Sequence, residues 1–265
     1  MNKIVFLIFL LVCGGAFADG QEKAVSEGTR LVEISPGVSM AFVWVEPGSF
    51  EMGSADGEAD STEKPVHKVT LTKGYWLGQF EVTQAEWQSV MGDSPSLFKG
   101  DRLPVECVSR DYCMSFINRI NGYFTRMAEA WRVRLPTEAE WEFAARGGVK
   151  GKGYKYSGSD DVDEVAWFRD NSGNRPHEVG TKKANELGLY DMSGNVWEWC
   201  QDRFWDYFYD FPVVNPSGPS WGEYVVNRGG GWYSTATGCR SSFRNQARSA
   251  DRVNNLGLRL VLEHL

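Results

Sequence analysis

The chain has 265 residues, 42% of them hydrophobic, with 29 glycines, 11 tryptophans and a formal charge of −7 at pH 7. That length and apolar content allow one sizeable core. The glycine and tryptophan richness, with few long helical patterns, points to a loop-rich fold pinned by aromatic rings and not to a helical bundle. The acidic balance excludes general nucleic-acid binding, which needs a basic face.

Residues 1–18 read as a leader. Lys3 precedes the apolar run 4–12, and Ala16-Phe17-Ala18 fits a small-x-small cleavage site. The run is too short for an ordinary membrane-spanning helix, and nothing downstream resembles one. The expectation is an exported protein, periplasmic or secreted, with lipid anchoring at Cys13 as the alternative. Residues 19–37 form a polar N-terminal segment, frayed over 19–34, and residues 38–265 a single domain without repeat or linker.

Within 38–54 the apolar stretch 41–45 and the Pro47-Gly48 turn predict two strands. Residues 53–64 read as an acidic loop, and 66–83 as a second strand pair. Thr83 with Glu86 has the spacing of a capping box and opens a helix. In 109–122, Tyr112, Phe116 and Ile120 recur on one helical face, with Cys113 beside the stripe. The best helix is 135–148: Thr137 is its N-cap, Glu138 and Glu140 suit its positive end, and Gly147-Gly148 ends it. From Val149 onward short strands and long loops are expected.

Residues 228–260 reverse the overall charge, with Arg228, Arg240, Arg244, Arg248, Arg252 and Arg259 against Asp251 alone. Planar arginines of this kind pair with carboxylates elsewhere in a fold, or bind an anion. With the leader removed, Cys107, Cys113, Cys200 and Cys239 remain, enough for two disulfides. No C-x-x-C occurs, and His67, His177 and His264 are isolated, which argues against an ordinary zinc site. Trp197, Trp199, Trp232 and Tyr190 read as core rings or as a cleft lining.

Five stretches in order, VEPGSFEMGS, VTLTKGYWLGQFEVTQAEW, VRLPTEAEWEFAARGG, ELGLYDMSGNVWEWCQD and RGGGW…CRSSFR…NNLGLRLV, resemble the sulfatase-modifying-factor family, whose founding member is the formylglycine-generating enzyme. The resemblance runs from about Val43 to Leu262. It implies an α+β domain of the formylglycine-generating-enzyme type, an elaborated C-type lectin fold with little regular secondary structure. It also implies an oxidase that converts a sulfatase cysteine to formylglycine with Cu(I) and O₂. The enzyme's two copper cysteines fall on Ser234 and Cys239, and its usual RGGSW serine falls on Gly231. A serine hydroxyl does not replace a thiolate on soft Cu(I). Cys239 is the one catalytic residue if the chain is an enzyme. A partnership of Cys239 with Cys200, as a disulfide or packed thiols, is the structural alternative, and a Cys107–Cys113 bridge is the weaker one. The family's iron-dependent branch would need clustered histidines that this chain lacks.

The same resemblance places a structural Ca²⁺ at Asp191, the carbonyls of Gly194 and Val196, and Glu198, oxygen donors suited to a hard cation. Residues 163–174, where the family has another calcium site, match poorly. The sugar-binding tripeptides of true C-type lectins are absent. The expectation is therefore a non-catalytic binding protein whose partner is a protein or small molecule. Its binding set is Trp232, Tyr233, Ser234, Thr235, Thr237, Gly238 and Arg240. A retroelement-diversified variable protein, with Ser242 and Phe243 among its varied positions, is the sharper form of that reading.

Overall fold

A computed structural model describes residues 28–57, 59–206 and 211–265. The expected leader, and the first part of the polar segment, lie outside them. In chain order the strands are β1 (Thr29–Ser35), β2 (Val38–Val45), β3 (Gly48–Met52), β4 (His67–Leu71) and β5 (Tyr75–Gly78). Helices α1 (Gln84–Met91) and α2 (Arg110–Arg126), strand β6 (Trp131–Arg134) and helix α3 (Glu138–Ala145) follow. After the single turn α4 (Val162–Val165) come β7 (Trp197–Arg203), β8 (Val213–Val214), β9 (Tyr224–Arg228), β10 (Asn245–Arg248), β11 (Leu256–Leu258) and β12 (Val261–His264).

Three sheets are built, in the orders β1-β2-β5-β12-β6, β10-β9-β7-β11 and β3-β4-β8. The strands expected in 38–54 and 66–83 exist, but they pair crosswise. β2 pairs with β5 and β3 with β4, so the Pro47 turn passes the chain between two sheets. The segment expected to fray is a strand from Thr29, paired along β2. Its side chains alternate too weakly for sequence to reveal a strand. Ile34 and Ser35 nevertheless close over the core.

The two faces of the five-stranded sheet organise the core, because neighbouring side chains on a strand point oppositely. Met40, Phe42, Val133 and Leu262 face α1 and α2, meeting Trp87, Phe116 and Ile120. Val43, Val45, Leu77 and Val261 face α3, meeting Trp141 and Phe143. The helix starts follow the capping rule. Thr83 Oγ1 accepts from Glu86 N–H at 3.3 Å while Thr83 N–H donates to Glu86 Oε2 at 2.7 Å. Thr137 and Glu140 repeat the box at 3.2 and 2.8 Å. Gly92, at φ 80°, ends α1 in the left-handed region that glycine enters freely. Among the described residues no helix is long and apolar enough to cross a membrane.

Candidate functional site

The RGGGW segment leaves β9 through two left-handed glycines, Gly229 (φ 97°) and Gly230 (φ 82°). A Cβ at Gly230 would lie 2.8 Å from Cys239 Sγ and 2.9 Å from the Gly238 carbonyl oxygen, so only glycine lets the returning chain pack here. The loop then closes on itself. Gly231 N–H donates to Ser234 Oγ at 2.9 Å, Ser234 N–H donates to Gly231 O at 2.8 Å, and a tight turn spans Thr237–Cys239. Trp232 is held on three sides. Its N–H donates to Asn195 O at 2.6 Å, its indole Nε1–H donates to Asn254 O at 2.9 Å, and its carbonyl accepts from Ser172 Oγ at 2.7 Å. Phe98 and Tyr233 meet its ring edge-on, both at 5.6 Å.

The expected binding residues therefore divide. Tyr233, 60% exposed, and Thr235 face solvent, with Ser234 half-buried between them and Thr237 half-buried beyond Thr235. Trp232 and Gly238 are buried beneath them. Arg240 is 1% exposed, and its guanidinium donates to both Glu63 oxygens at 2.7 Å. It braces the loop from within, its guanidinium being engaged by Glu63. The core reading of the aromatics holds for Trp197, Trp199 and Trp232, all buried. Tyr190 is half-buried and stacks on Phe80.

The copper expectation can be tested on the thiols. Cys239 is fully buried against Tyr156, Val165, Ala166 and Phe168. Burial pushes its thiol up to about 12 in the metal-free chain. Cu(I) needs thiolates, and the second position offers only the Ser234 hydroxyl, already engaged by Gly231. These residues do not fit a copper ion. Nor do Cys200 and Cys239 form the expected partnership. Cys200 belongs to the α3-side core and Cys239 to the Tyr156–Phe168 cluster, each filling apolar space as an unbonded thiol. Cys107 and Cys113 are also unbonded. Cys113 sits in the α2 core, whereas Cys107 is half-buried at φ 59° with its N–H on the Val253 carbonyl. His67 bonds the Pro65 carbonyl through Nδ1, and His177 stacks on Trp167 at 3.7 Å. Among the described residues no group of three or more His, Cys, Asp or Glu is arranged to hold a metal ion.

The arginine cluster does pair with carboxylates. Besides Arg240–Glu63, Arg244 donates to both Glu138 oxygens at 2.6 and 2.8 Å. Arg228 pairs with Glu142, and Arg259 with Glu198 at 2.7 Å, all four side chains being 0% exposed. Arg248 pairs with Glu223 at the surface, and Arg252 lies 5.0 Å over the Tyr112 ring. Beside Glu138, Asp202 Oδ2 accepts the Glu138 N–H at 2.9 Å. Burial, reinforced by the Glu138 charge, raises the Asp202 carboxyl to about 8.

The expected calcium segment sits on this framework. Asp191 (φ 57°) and Asn195 (φ 63°) bend the loop. Asp191 Oδ2 accepts Gly180 N–H at 2.7 Å. Glu198 is committed: Arg259 donates to both its oxygens, and Trp141 Nε1–H donates to Oε2 at 2.7 Å. A cation there would compete with a guanidinium already in place. Without Glu198 the expected set falls to one carboxylate and two carbonyls, against the six to eight oxygens calcium takes. The donor set present does not fit the assigned site. One residue that sequence reasoning missed is Glu81, 1% exposed, whose oxygens accept from Val196 N–H at 2.9 Å and Asn195 Nδ2–H at 2.6 Å. Burial first, then Asp191 and Glu198, push its carboxyl well above the ordinary carboxylate range, against the pull of Arg259. Through Asn195, whose carbonyl receives Trp232 N–H, Glu81 ties this segment to the RGGGW loop. Its flanks, Phe80 and Val82, were the available signal of burial.

Comparison with known proteins agrees with this architecture. The model of the sulfatase-modifying factor enzyme 1-like domain matches residues 32–264. A chaperone protein named LppX from Paenibacillus barcinonensis is 34% identical over 97% of this chain and 98% of its own. The formylglycine-generating enzyme of Streptomyces coelicolor is 39% identical over 46% of this chain and 41% of that protein. Among solved structures, Treponema denticola variable protein 1 superposes with a TM-score of 0.79 at 29% identity, covering 89% of this chain and 99% of that one. The expected fold, an α+β domain of the formylglycine-generating-enzyme type, is the fold observed.

Proposed function

This chain belongs to the sulfatase-modifying factor enzyme 1-like family, and on that premise we propose that it is a non-catalytic member that binds a ligand through the loop 233–237. The observation that carries the reading is the geometry at Cys239: its thiol is fully buried, and the position where a second thiolate would be needed holds the Ser234 hydroxyl, which already accepts Gly231 N–H. Loss of the copper pair leaves the scaffold intact, because Cys239 serves as apolar filler under Gly230. What remains at the surface is Tyr233, Ser234, Thr235 and Thr237, an aromatic ring among small hydroxyls on a rigid base, a composition suited to recognition. The likeness to a protein named a variable protein supports the variable-protein form of this reading.

The test is an oxidase assay. The protein is loaded with Cu(I) under air and incubated with a cysteine-containing sulfatase peptide, and the peptide is followed by mass spectrometry. No aldehyde product is expected. Turnover that disappears in Cys239→Ala would overturn the reading and restore the copper oxidase.

A further inference from the structure

The four buried arginines described above each have a carboxylate, but two half-buried ones do not. Arg110 opens α2 and Arg203 ends β7. Among the described residues neither guanidinium forms an ion pair. Alternation along β7 sets the direction of Arg203. Glu198, Cys200 and Asp202 face α3, where Trp141 Nε1–H donates to Glu198 at 2.7 Å and Glu138 N–H to Asp202 at 2.9 Å. Arg203 points to the other face with Trp199, whose Nε1–H donates to Val108 O at 3.0 Å just before α2. Ser249, directly after β10, gathers the two arginines there. Its carbonyl accepts Arg110 N–H at 3.0 Å, and its hydroxyl oxygen accepts Arg203 Nη1–H at 3.0 Å. Arg110 Nη2–H donates to Gln201 O at 3.1 Å, two positions before Arg203.

The pair is undersatisfied as well as like-charged. Arg110 Nε is buried without an acceptor. Among the described residues Arg110 Nη1 and Arg203 Nε and Nη2 have none either. Burial first, and then the Arg203 charge, lower the Arg110 guanidinium from its ordinary value, against Asp111, Cys113 and Asp202. Asp202 lies on the α3 face with its carboxyl raised to about 8, so Asp111 is the exposed acid beside the pair. Other nearby charges are committed: Arg248 to Glu223, Asp251 Oδ2 to Arg248 N–H, and Arg252 to the Tyr112 ring. Holding like charges together costs free energy unless an anion lies between them. The N-terminus of the 17-residue α2 adds its partial positive charge at the same place. A carboxylate fills one guanidinium fork. Two forks and a hydroxyl, whose hydrogen is free to donate, fit a tetrahedral dianion, because its oxygens diverge and its charge offsets both cations.

We propose that Arg110, Arg203 and Ser249 form a receptor for a phosphoryl dianion, separate from the loop 233–237. The experiment is isothermal titration of the purified protein with inorganic phosphate and with glycerol 1-phosphate. Ionic strength is held constant with chloride, and acetate is the monovalent control. Saturable binding of at least one phosphate ligand is expected, tighter than acetate by about tenfold or more. A tighter ester assigns the site to an organic monoester, and a tighter inorganic ion assigns it to free phosphate. At about ten times the dissociation constant the ligand should raise the melting temperature by about 3–6 °C. Arg110→Met and Arg203→Met should each weaken binding by about tenfold or more and lose that rise. Ser249→Ala should weaken it by about threefold. Arg203→Lys keeps the charge without the fork and should bind between parent and Arg203→Met. Arg132→Met, which removes a surface charge elsewhere, should leave binding unchanged. Without ligand, Arg203→Met should melt within about 2 °C of the parent, because a repelling charge leaves with the Ser249 bond, and this separates a lost site from a lost fold. Three results overturn the proposal: no saturation by either phosphate ligand below about 20 mM, acetate binding as tightly as phosphate, or phosphate binding indifferent to both methionine replacements in folded protein. None of them bears on the copper assay, so failure here and failure of the non-catalytic reading remain distinguishable.

Discussion

Replacing Arg240 tests whether that residue serves the scaffold or a ligand. In Arg240→Met the two 2.7 Å bonds to Glu63 and the 3.1 Å bond to Ser242 Oγ are lost. Glu63 is 0% exposed, so its carboxylate is left buried with the Asp60 N–H as its remaining described donor. Breaking a buried ion pair from one side costs about 3–5 kcal/mol, most of it the uncompensated charge. For a domain of this size each kcal/mol moves the melting temperature by about 2–4 °C, so the variant should melt about 6–20 °C lower. The double variant Glu63→Gln/Arg240→Met removes the stranded charge and should recover part of the loss. A thermal double-mutant cycle by circular dichroism measures both effects. If Arg240→Met melts within about 2 °C of the parent, or if adding Glu63→Gln deepens the loss additively, the buried-pair account fails. Arg240 would then stand with the candidate binding residues.

Thiol titration gives a simpler result. In native protein beginning at Asp19, Cys113, Cys200 and Cys239 should resist Ellman's reagent while half-buried Cys107 reacts slowly, and all four should react after denaturation without reductant. Fewer than four would reveal a disulfide. The Asp202 carboxyl, raised from 3.8 to about 8, holds its proton in the folded state between those values and loses it when unfolded. Stability should therefore fall as pH rises through that window, by at most about 1.4 kcal/mol per pH unit from this group. Asp202→Asn keeps an acceptor for Glu138 N–H and should flatten the dependence, with melts from pH 5 to 9 as the readout. A parent and variant of equal slope would remove Asp202 as its source. Because Glu198 is taken by Arg259 and Trp141, adding calcium or a chelator should leave the melting temperature within about 1 °C. A clear rise with calcium would reinstate the ion at Asp191, Gly194 and Val196.

Short-range signals were the legible part. Both helix-capping boxes, the Tyr112–Phe116–Ile120 stripe and the paucity of helix after Val149 follow from residues a few positions apart, and the structure keeps them. A third box, Asp60 with Glu63, passed as acidic loop because no apolar run follows it, yet it positions the carboxylate that Arg240 needs. That the arginines seek carboxylates was readable from their chemistry. Which carboxylates was not, since Arg240 and Glu63 lie 177 positions apart. The cysteine expectation failed for a related reason. An even number of thiols suggests pairing, but nothing local says that Cys200 and Cys239 serve different apolar clusters. Crosswise strand pairing was hidden for the same cause, as a turn sequence marks where the chain bends and not which sheet receives it.

The four arginine–glutamate pairs have a further consequence for how this chain can change. They join positions 61 to 177 residues apart, and two of them, at Arg228 and Arg240, bracket the segment 229–239. Between those rivets the exposed side chains 233 and 235 contribute little to folding, so the cost of exchanging them is small. A library randomised at Tyr233, Thr235 and Thr237 should yield mostly folded members, whereas one randomised at Arg228, Arg240, Arg244 and Arg259 should yield almost none. The molecule is organised so that its most exposed loop is clamped at both ends by its most deeply buried ion pairs, and side chains can be exchanged there without renegotiating the fold.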